Sequence, residues 1–151
     1  DSIPDTDHIR FCENQTVNTI LLYFATQAKK HEIDFEVQVV ISQDMHLEEH
    51  HISVLLGNLL ENAVDACAAQ QSKERRIVVK GKGDSHSLIF TIDNTFENEI
   101  KKNKKGEFIT TKRTGNGIGV NSAQKIVERY NGFFSADAKR DMFCVSFMLN
   151  L

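Results

Sequence analysis

One proline, three cysteines and no long hydrophobic run set the first limits on this 151-residue chain. Crossing a bilayer takes roughly 20 consecutive apolar residues, and neither such a stretch nor a signal-peptide core is found. Cys12, Cys67 and Cys144 are odd in number and have no metal-type spacing, so reduced thiols of a cytoplasmic protein are expected rather than a disulfide framework. Net charge is scarce too: 18 basic against 21 acidic residues leave -3 at pH 7. That removes any general electrostatic reason to bind nucleic acid or an anionic membrane, and no nucleic-acid partner is expected. Internal repeats and low-complexity tracts are absent. Two phosphate-binding fingerprints are missing as well. No Gly-Lys-Ser/Thr exists to form a P-loop, and Val120 stands where a Rossmann fingerprint needs its third glycine.

What is there suits one globular domain: 40% hydrophobic and 26% charged residues, with room for a real core. Val17, Ile20, Leu21, Phe24 and Ala28 recur at helical spacing and predict an amphipathic helix over residues 7–30. Alternation from Phe35 to Ile41 predicts a strand, and a second helix is expected over 48–70. Strands over 75–81 and 87–93 flank Gly83-Asp84-Ser85 and read as a hairpin. Apolar periodicity disappears from Asn94 to Asn116, which is long for an idle connection and reads as a mobile functional loop with a lysine-rich solvated tip at 101–105. A third helix over 118–131 stops at Asn131-Gly132, and strands over 133–138 and 142–150 finish the chain. This order indicates an α+β fold, a two-layer sandwich with a mixed, mostly antiparallel sheet covered by helices on one face.

Two features carry chemistry. In Leu55-Leu56-Gly57-Asn58-Leu59-Leu60-Glu61-Asn62-Ala63-Val64-Asp65-Ala66, steps of four and three put Asn58, Asn62 and Asp65 on one helix face. Downstream, Gly115-Asn116-Gly117-Ile118-Gly119 reads as a glycine-rich loop leading into a helix, where backbone N–H groups can surround phosphate oxygens. Amides able to bind a metal and a phosphate cradle read together as a nucleotide site.

With Asn58/Asn62, Asp93 and Gly115/Gly117/Gly119 in that order, the chain resembles the ATP-binding domain of sensor histidine kinases in the GHKL superfamily, across residues 33–151. The resemblance implies the Bergerat ATP-binding fold, with residues 31–151 as the nucleotide domain and 1–30 as the tail of an upstream dimerisation helix and linker. Asn58-Leu59-Leu60-Glu61-Asn62-Ala63 is similar to the family's N box, implying that Asn62 coordinates Mg²⁺ and Asn58 assists. Asp93 matches the acidic residue that accepts the adenine amino group, and Phe108-Ile109-Thr110-Thr111-Lys112 resembles the lid's F box, which places Lys112 near the terminal phosphates. Further nucleotide contacts are implied for Asp65, Thr95, Phe108, Thr111, Gly115, Gly117, Ile118 and Gly119. Asp93-Asn94-Thr95-Phe96-Glu97 lacks the two glycines that usually follow the aspartate, as in the peptide-pheromone and quorum-sensing branch.

Hydrolytic members carry a glutamate four residues before the metal asparagine; here Asn58 stands there, and an amide cannot take a proton from water. The resemblance therefore implies a protein-histidine kinase catalytic domain that presents the γ-phosphate of Mg-ATP to a histidine upstream of Asp1. It further implies a longer homodimeric, membrane-anchored sensor with its dimerisation and histidine-phosphotransfer domain, a response regulator, and a cytoplasmic location for this part. The alternatives are a nucleotide-dependent binding module that transfers no phosphoryl group and a hydrolytic ATPase. Two local strings fit other chemistries. His46-Leu47-Glu48-Glu49-His50 matches an inverted zinc-peptidase string but lacks a clear third ligand, and reads as a polar helix entry. His31-Glu32-Ile33 resembles the start of a phosphoacceptor box, yet the strand that follows makes His31 a linker residue.

Overall fold

The structure is a computed structural model that describes residues 9–97, 101–102, 108–109 and 115–151. Helix α1 spans Gln15–Lys30, strand β1 Asp34–Ile41 and helix α2 Glu49–Ala68. Strands β2 (Arg76–Gly83) and β3 (Ser87–Thr95) precede two short strands, β4 (Lys101–Lys102) and β5 (Phe108–Ile109). Helix α3 (Gly115–Arg129) and strands β6 (Phe133–Lys139) and β7 (Met142–Asn150) complete the chain. The main sheet has the order β1-β2-β3-β7-β6; β1 runs parallel to β2 and every other pair is antiparallel. β4 and β5 pair with each other in a separate ribbon, which the missing periodicity of that stretch did not announce.

Alternation along the strands decides which face is covered. Val39 and Ile41, Ile77 and Val79, Leu88, Phe90 and Ile92, and Val145, Phe147 and Leu149 are buried in one core with apolar residues of all three helices. Their neighbours point the other way, where Val40 and Phe133 are each 73% exposed. The result is the expected two-layer α+β sandwich. Phe90 and Phe147 stack near its centre with ring centroids 5.6 Å apart. Gly81 makes room for them, because a Cβ there would stand 2.7 Å from the Phe90 ring.

α1 starts at Gln15 rather than near residue 7. Asn14 caps it by accepting the Val17 N–H at 3.0 Å, and Asn18 accepts the Phe11 N–H at 2.6 Å, so these side chains hold the preceding residues outside the helix. The core is continuous across the boundary expected at residue 30: Val17, Leu21, Phe24 and Ala28 of α1 are buried with Leu60 and Val64 of α2. α1 is thus part of this domain's own core. At the other end, α3 stops where Asn131 takes a left-handed φ of 53°. Gly132 follows, and a Cβ there would fall 1.8 Å from the Met148 carbonyl oxygen.

Candidate functional site

α2 carries the site because its two flanks differ. Ile52, Leu55, Leu56, Leu59, Leu60, Ala63, Val64 and Cys67 are buried at steps of three and four, burying one stripe of the helix in the core. Asn58, Asn62 and Asp65 lie round the other flank and are half-buried. Among the described residues, no hydrogen bond reaches the Asn58 or Asn62 side chain. Half-exposed amides keep their water, and can exchange it for a ligand without leaving a buried group unsatisfied. Asp65 is engaged, and borders a cleft of about 200 Å³ with Glu61, Tyr23, Gln27 and His31 between α1 and α2. That volume is below the roughly 300 Å³ where small-molecule pockets begin. The polar stripe of α2 that holds Asn58 and Asn62 extends back to His51.

That side faces α3. His51 lies seven residues before Asn58 on the same stripe, and its Nδ1 stands 2.5 Å from the Tyr130 hydroxyl, with the rings edge to face at 5.4 Å. The Glu48 carboxylate is 3.2 Å from the same nitrogen. Burial pushes the Tyr130 phenol up from its ordinary value. Tyr130 follows the last residue of α3, so the start of α2 meets the end of α3 and the two helices pack antiparallel. The half of α2 that holds Asn58 and Asn62 therefore runs toward the first turns of α3.

Those turns contain Gly115, Gly117, Ile118 and Gly119, which lie inside the helix rather than in a loop before it. Each helical glycine costs about 1 kcal/mol relative to alanine. A bare backbone at a helix N-terminus, where the first N–H groups have no intrahelical partner, offsets that cost when an anion sits there. Phe108 falls in β5. Thr111 and Lys112 lie outside the described residues.

The end of β3 closes the site from below. Thr95 is fully engaged: its Oγ1 donates to Gln70 Oε1 at 2.6 Å and accepts the Arg76 N–H at 3.0 Å, tying the strand to the segment after α2. Cys67 Sγ donates toward the Thr95 carbonyl at 3.5 Å, and burial raises its thiol pKa, which makes it a packing residue. Asp93 does not face the helices. It is in register with Cys144, which stands opposite Asp137 on the uncovered face of the sheet. The Cys144 thiol is raised first by burial and then by the Asp93 carboxylate beside it. The residue on the helix side is Asn94, 3% exposed and in register with the core residues Ile77 and Phe143. The alternation Leu88, Phe90, Ile92 continues to Asn94.

His31 and Glu49, from the two strings that fit other chemistries, have local roles. His31 caps α1, its N–H bonded to the Ala28 carbonyl at 3.1 Å, and its own carbonyl accepts from Arg75 at 2.7 Å. Glu49 accepts the Thr16 hydroxyl at 2.9 Å. Among the described residues, no three His, Cys, Asp or Glu side chains gather as a metal group. Cys12, Cys67 and Cys144 are free. The fit to Mg-ATP rests instead on neutral oxygen donors and backbone N–H groups. Asn58 and Asn62 supply amide oxygens of the hard type that Mg²⁺ prefers.

A family model described as a GHKL domain matches residues 47–150. The sensor histidine kinase FlgS of Helicobacter pylori is 32% identical over 83 residues, which covers 54% of this chain and 22% of that protein. A probable C4-dicarboxylate sensor kinase of Halalkalibacterium halodurans is 29% identical over 114 residues, covering 68% of this chain and 21% of the relative. The chain thus spans about a fifth of the length of these curated relatives. Among solved structures, the catalytic domain of histidine kinase ThkA superposes with a TM-score of 0.68 at 18% identity, covering 90% of each chain.

Proposed function

This chain belongs to the GHKL domain family, and we propose that it is the ATP-binding catalytic domain of a sensor histidine kinase. The observation that carries this reading is the pair of half-exposed amides of Asn58 and Asn62, without a hydrogen bond among the described residues, on the flank of α2 that runs toward the glycine-bearing start of α3. ATP would lie between these helices over the end of β3, its phosphates toward the first turns of α3. Asn62, assisted by Asn58, would hold Mg²⁺ through amide oxygens. When bound, the ion neutralises phosphate charge. Lys112 would add a cation from the lid, with Phe108 and Thr111 as its neighbours there.

The chain's own share of the reaction is positioning. Asn58 has no group that accepts a proton, so water is not activated. A neutral imidazole nitrogen needs no such base: it forms the N–P bond to the γ-phosphorus as the bond to the β,γ-bridging oxygen breaks, and ADP leaves. The acceptor histidine, on a dimerisation and phosphotransfer domain, is proposed to lie upstream of residue 1 in a homodimeric, membrane-anchored sensor of the quorum-sensing branch, with a response regulator downstream. Among the described residues no helix is long and apolar enough to cross a membrane.

The test compares this chain with an extended one that includes the upstream helical segment. This chain with Mg-ATP should neither label itself nor release phosphate appreciably. The extended chain should form an acid-labile, base-stable phosphohistidine that disappears in Asn62→Ala. Tethering raises the effective concentration, so the extended chain should react faster than the two pieces mixed. Robust hydrolysis by this chain alone would favour an ATPase, and ATP binding without phosphohistidine in the extended chain would favour a binding module.

A further inference from the structure

On the sheet face that carries no helix, we propose a docking surface for an acidic amphipathic helix of a partner protein. The strand register builds it. Val40 pairs with Lys82, Lys82 with Ile89, Ile89 with Met148 and Met148 with Phe133, so these five side chains form one row across all five strands of the main sheet. Of the four exposed large hydrophobic residues among the described ones, three stand in this row: Val40 and Phe133, each 73% exposed, and Ile89 at 49%. The next row is polar, with Lys80, Thr91 and Ser146 at its centre, and on the other side Ser87 pairs with Asn150. Apolar residues gathered in one strip with a polar rim mark an interaction surface, whereas single scattered ones do not.

Charge and spacing select the occupant. Lys82 lies in the apolar row and Lys80 in the next, and among the described residues neither is in an ion pair. Asp84, two residues from Lys82, is already engaged by the N–H groups of His86 and Ser87 at 2.8 and 3.1 Å. A partner that carries carboxylates beside its apolar side chains therefore pairs both cations as it covers the row. The row is about 19 Å long at roughly 4.8 Å per strand. About 13 helical residues span that length, and a turn of ~5.4 Å brings close to one apolar side chain to each strand. A second copy of this chain fits worse. Stacked about a two-fold axis along β3, Glu36 would meet Asp137 of the other copy and Asp93 its own equivalent; about an axis along the row, Lys82 would meet Lys82. A flat anionic membrane that reached the row would also meet Glu36, Asp93 and Asp137, which share this face.

The proposed nucleotide site lies on the other face, so this surface can be tested apart from it. The chain is titrated with a helix-forming peptide of about 13 residues, leucines on one stripe and glutamates beside it, and with its lysine counterpart, while amide NMR shifts are followed. The glutamate peptide should bind at least about tenfold tighter than the lysine one and shift the amides of Lys80, Lys82, Ile89 and Met148. The double variant Ile89→Ser with Phe133→Ser, at exposed positions, should lose that binding and keep the melting temperature and Mg-ATP affinity of the wild type. Lys80→Glu with Lys82→Glu should reverse the order and prefer the lysine peptide, which a purely apolar contact would not do. Equal binding of the two peptides, shifts confined to the helices, or no reversal in the charge-swapped variant overturns the proposal. Sedimentation showing a dimer that Ile89→Ser dissolves would give the face to a second copy, and flotation on phosphatidylserine vesicles that Phe133→Ser abolishes would give it to a membrane; either result overturns it too. A chain that binds the glutamate peptide on this face but no nucleotide overturns the ATP-binding reading and leaves this one standing.

Discussion

The two ends of the α2–α3 pair are built in opposite ways. At one end His51 and Tyr130 meet through a hydrogen bond and an edge-to-face ring contact, with Glu48 alongside. At the other, Asn58 and Asn62 have no hydrogen bond among the described residues, and α3 begins with three glycines in five positions. Side chains finish the first end, and in the proposed function a nucleotide finishes the second. A helix pair locked throughout would have no room for a nucleotide, and one open throughout would not hold its phosphate-facing turns in place. Under the proposed function the core and the tied end supply stability, and the open end binds.

The sharpest way to break that division is to damage the core beneath both ends. Leu56→Ala, at a fully buried position, should cost about 3 kcal/mol in denaturant unfolding. Next in size is Asn62→Ala, which should lower Mg-dependent ATP affinity at least about a hundredfold, ~2.7 kcal/mol, while the melting temperature stays put. Asn58→Ala should do less. At the tied end, Tyr130→Phe should cost about 1 kcal/mol of stability and leave ATP affinity unchanged, because it removes one hydrogen bond and keeps the ring contact.

The smallest effect concerns Glu97, which accepts the Gln71 and Ser72 N–H groups at 2.7 and 2.9 Å and so holds the exit of β3 to the segment after α2. Those two backbone bonds lower its pKa below the ordinary glutamate value. A depressed carboxylate makes its contribution in full above its unfolded value and loses it as pH falls through the folded value. Acidification should therefore speed amide exchange at Gln71 and Ser72 before the sheet responds, whereas Glu97→Gln should show fast exchange there at neutral pH.

Much of this architecture could be read from residue order. Alternation in β1, β2, β3 and β7 gave the strands, and the steps of three and four in α2 gave both its buried stripe and its polar one. What escaped had physical causes. α1 begins late because Asn14 and Asn18 bond the backbone with their side chains, which a hydrophobic period does not register. β4 and β5 are two residues each, too short for any period, and among the described residues they pair with one another. Which of the adjacent residues Asp93 and Asn94 faces the helices depends on register with β2 and β7, which the motif does not carry. The glycines of α3 were expected in a loop, because glycine lowers helix propensity, but the helix includes them.

Amide hydrogen exchange with and without Mg-ATP tests the division directly, since it reports on both ends of the helix pair in one sample. Nucleotide should slow exchange in residues 58–65 and 115–119 and at the end of β3, and leave 48–52 and 130 as they were. Uniform protection along both helices, or protection confined to the cleft between α1 and α2, would contradict the assignment of binding to the open end.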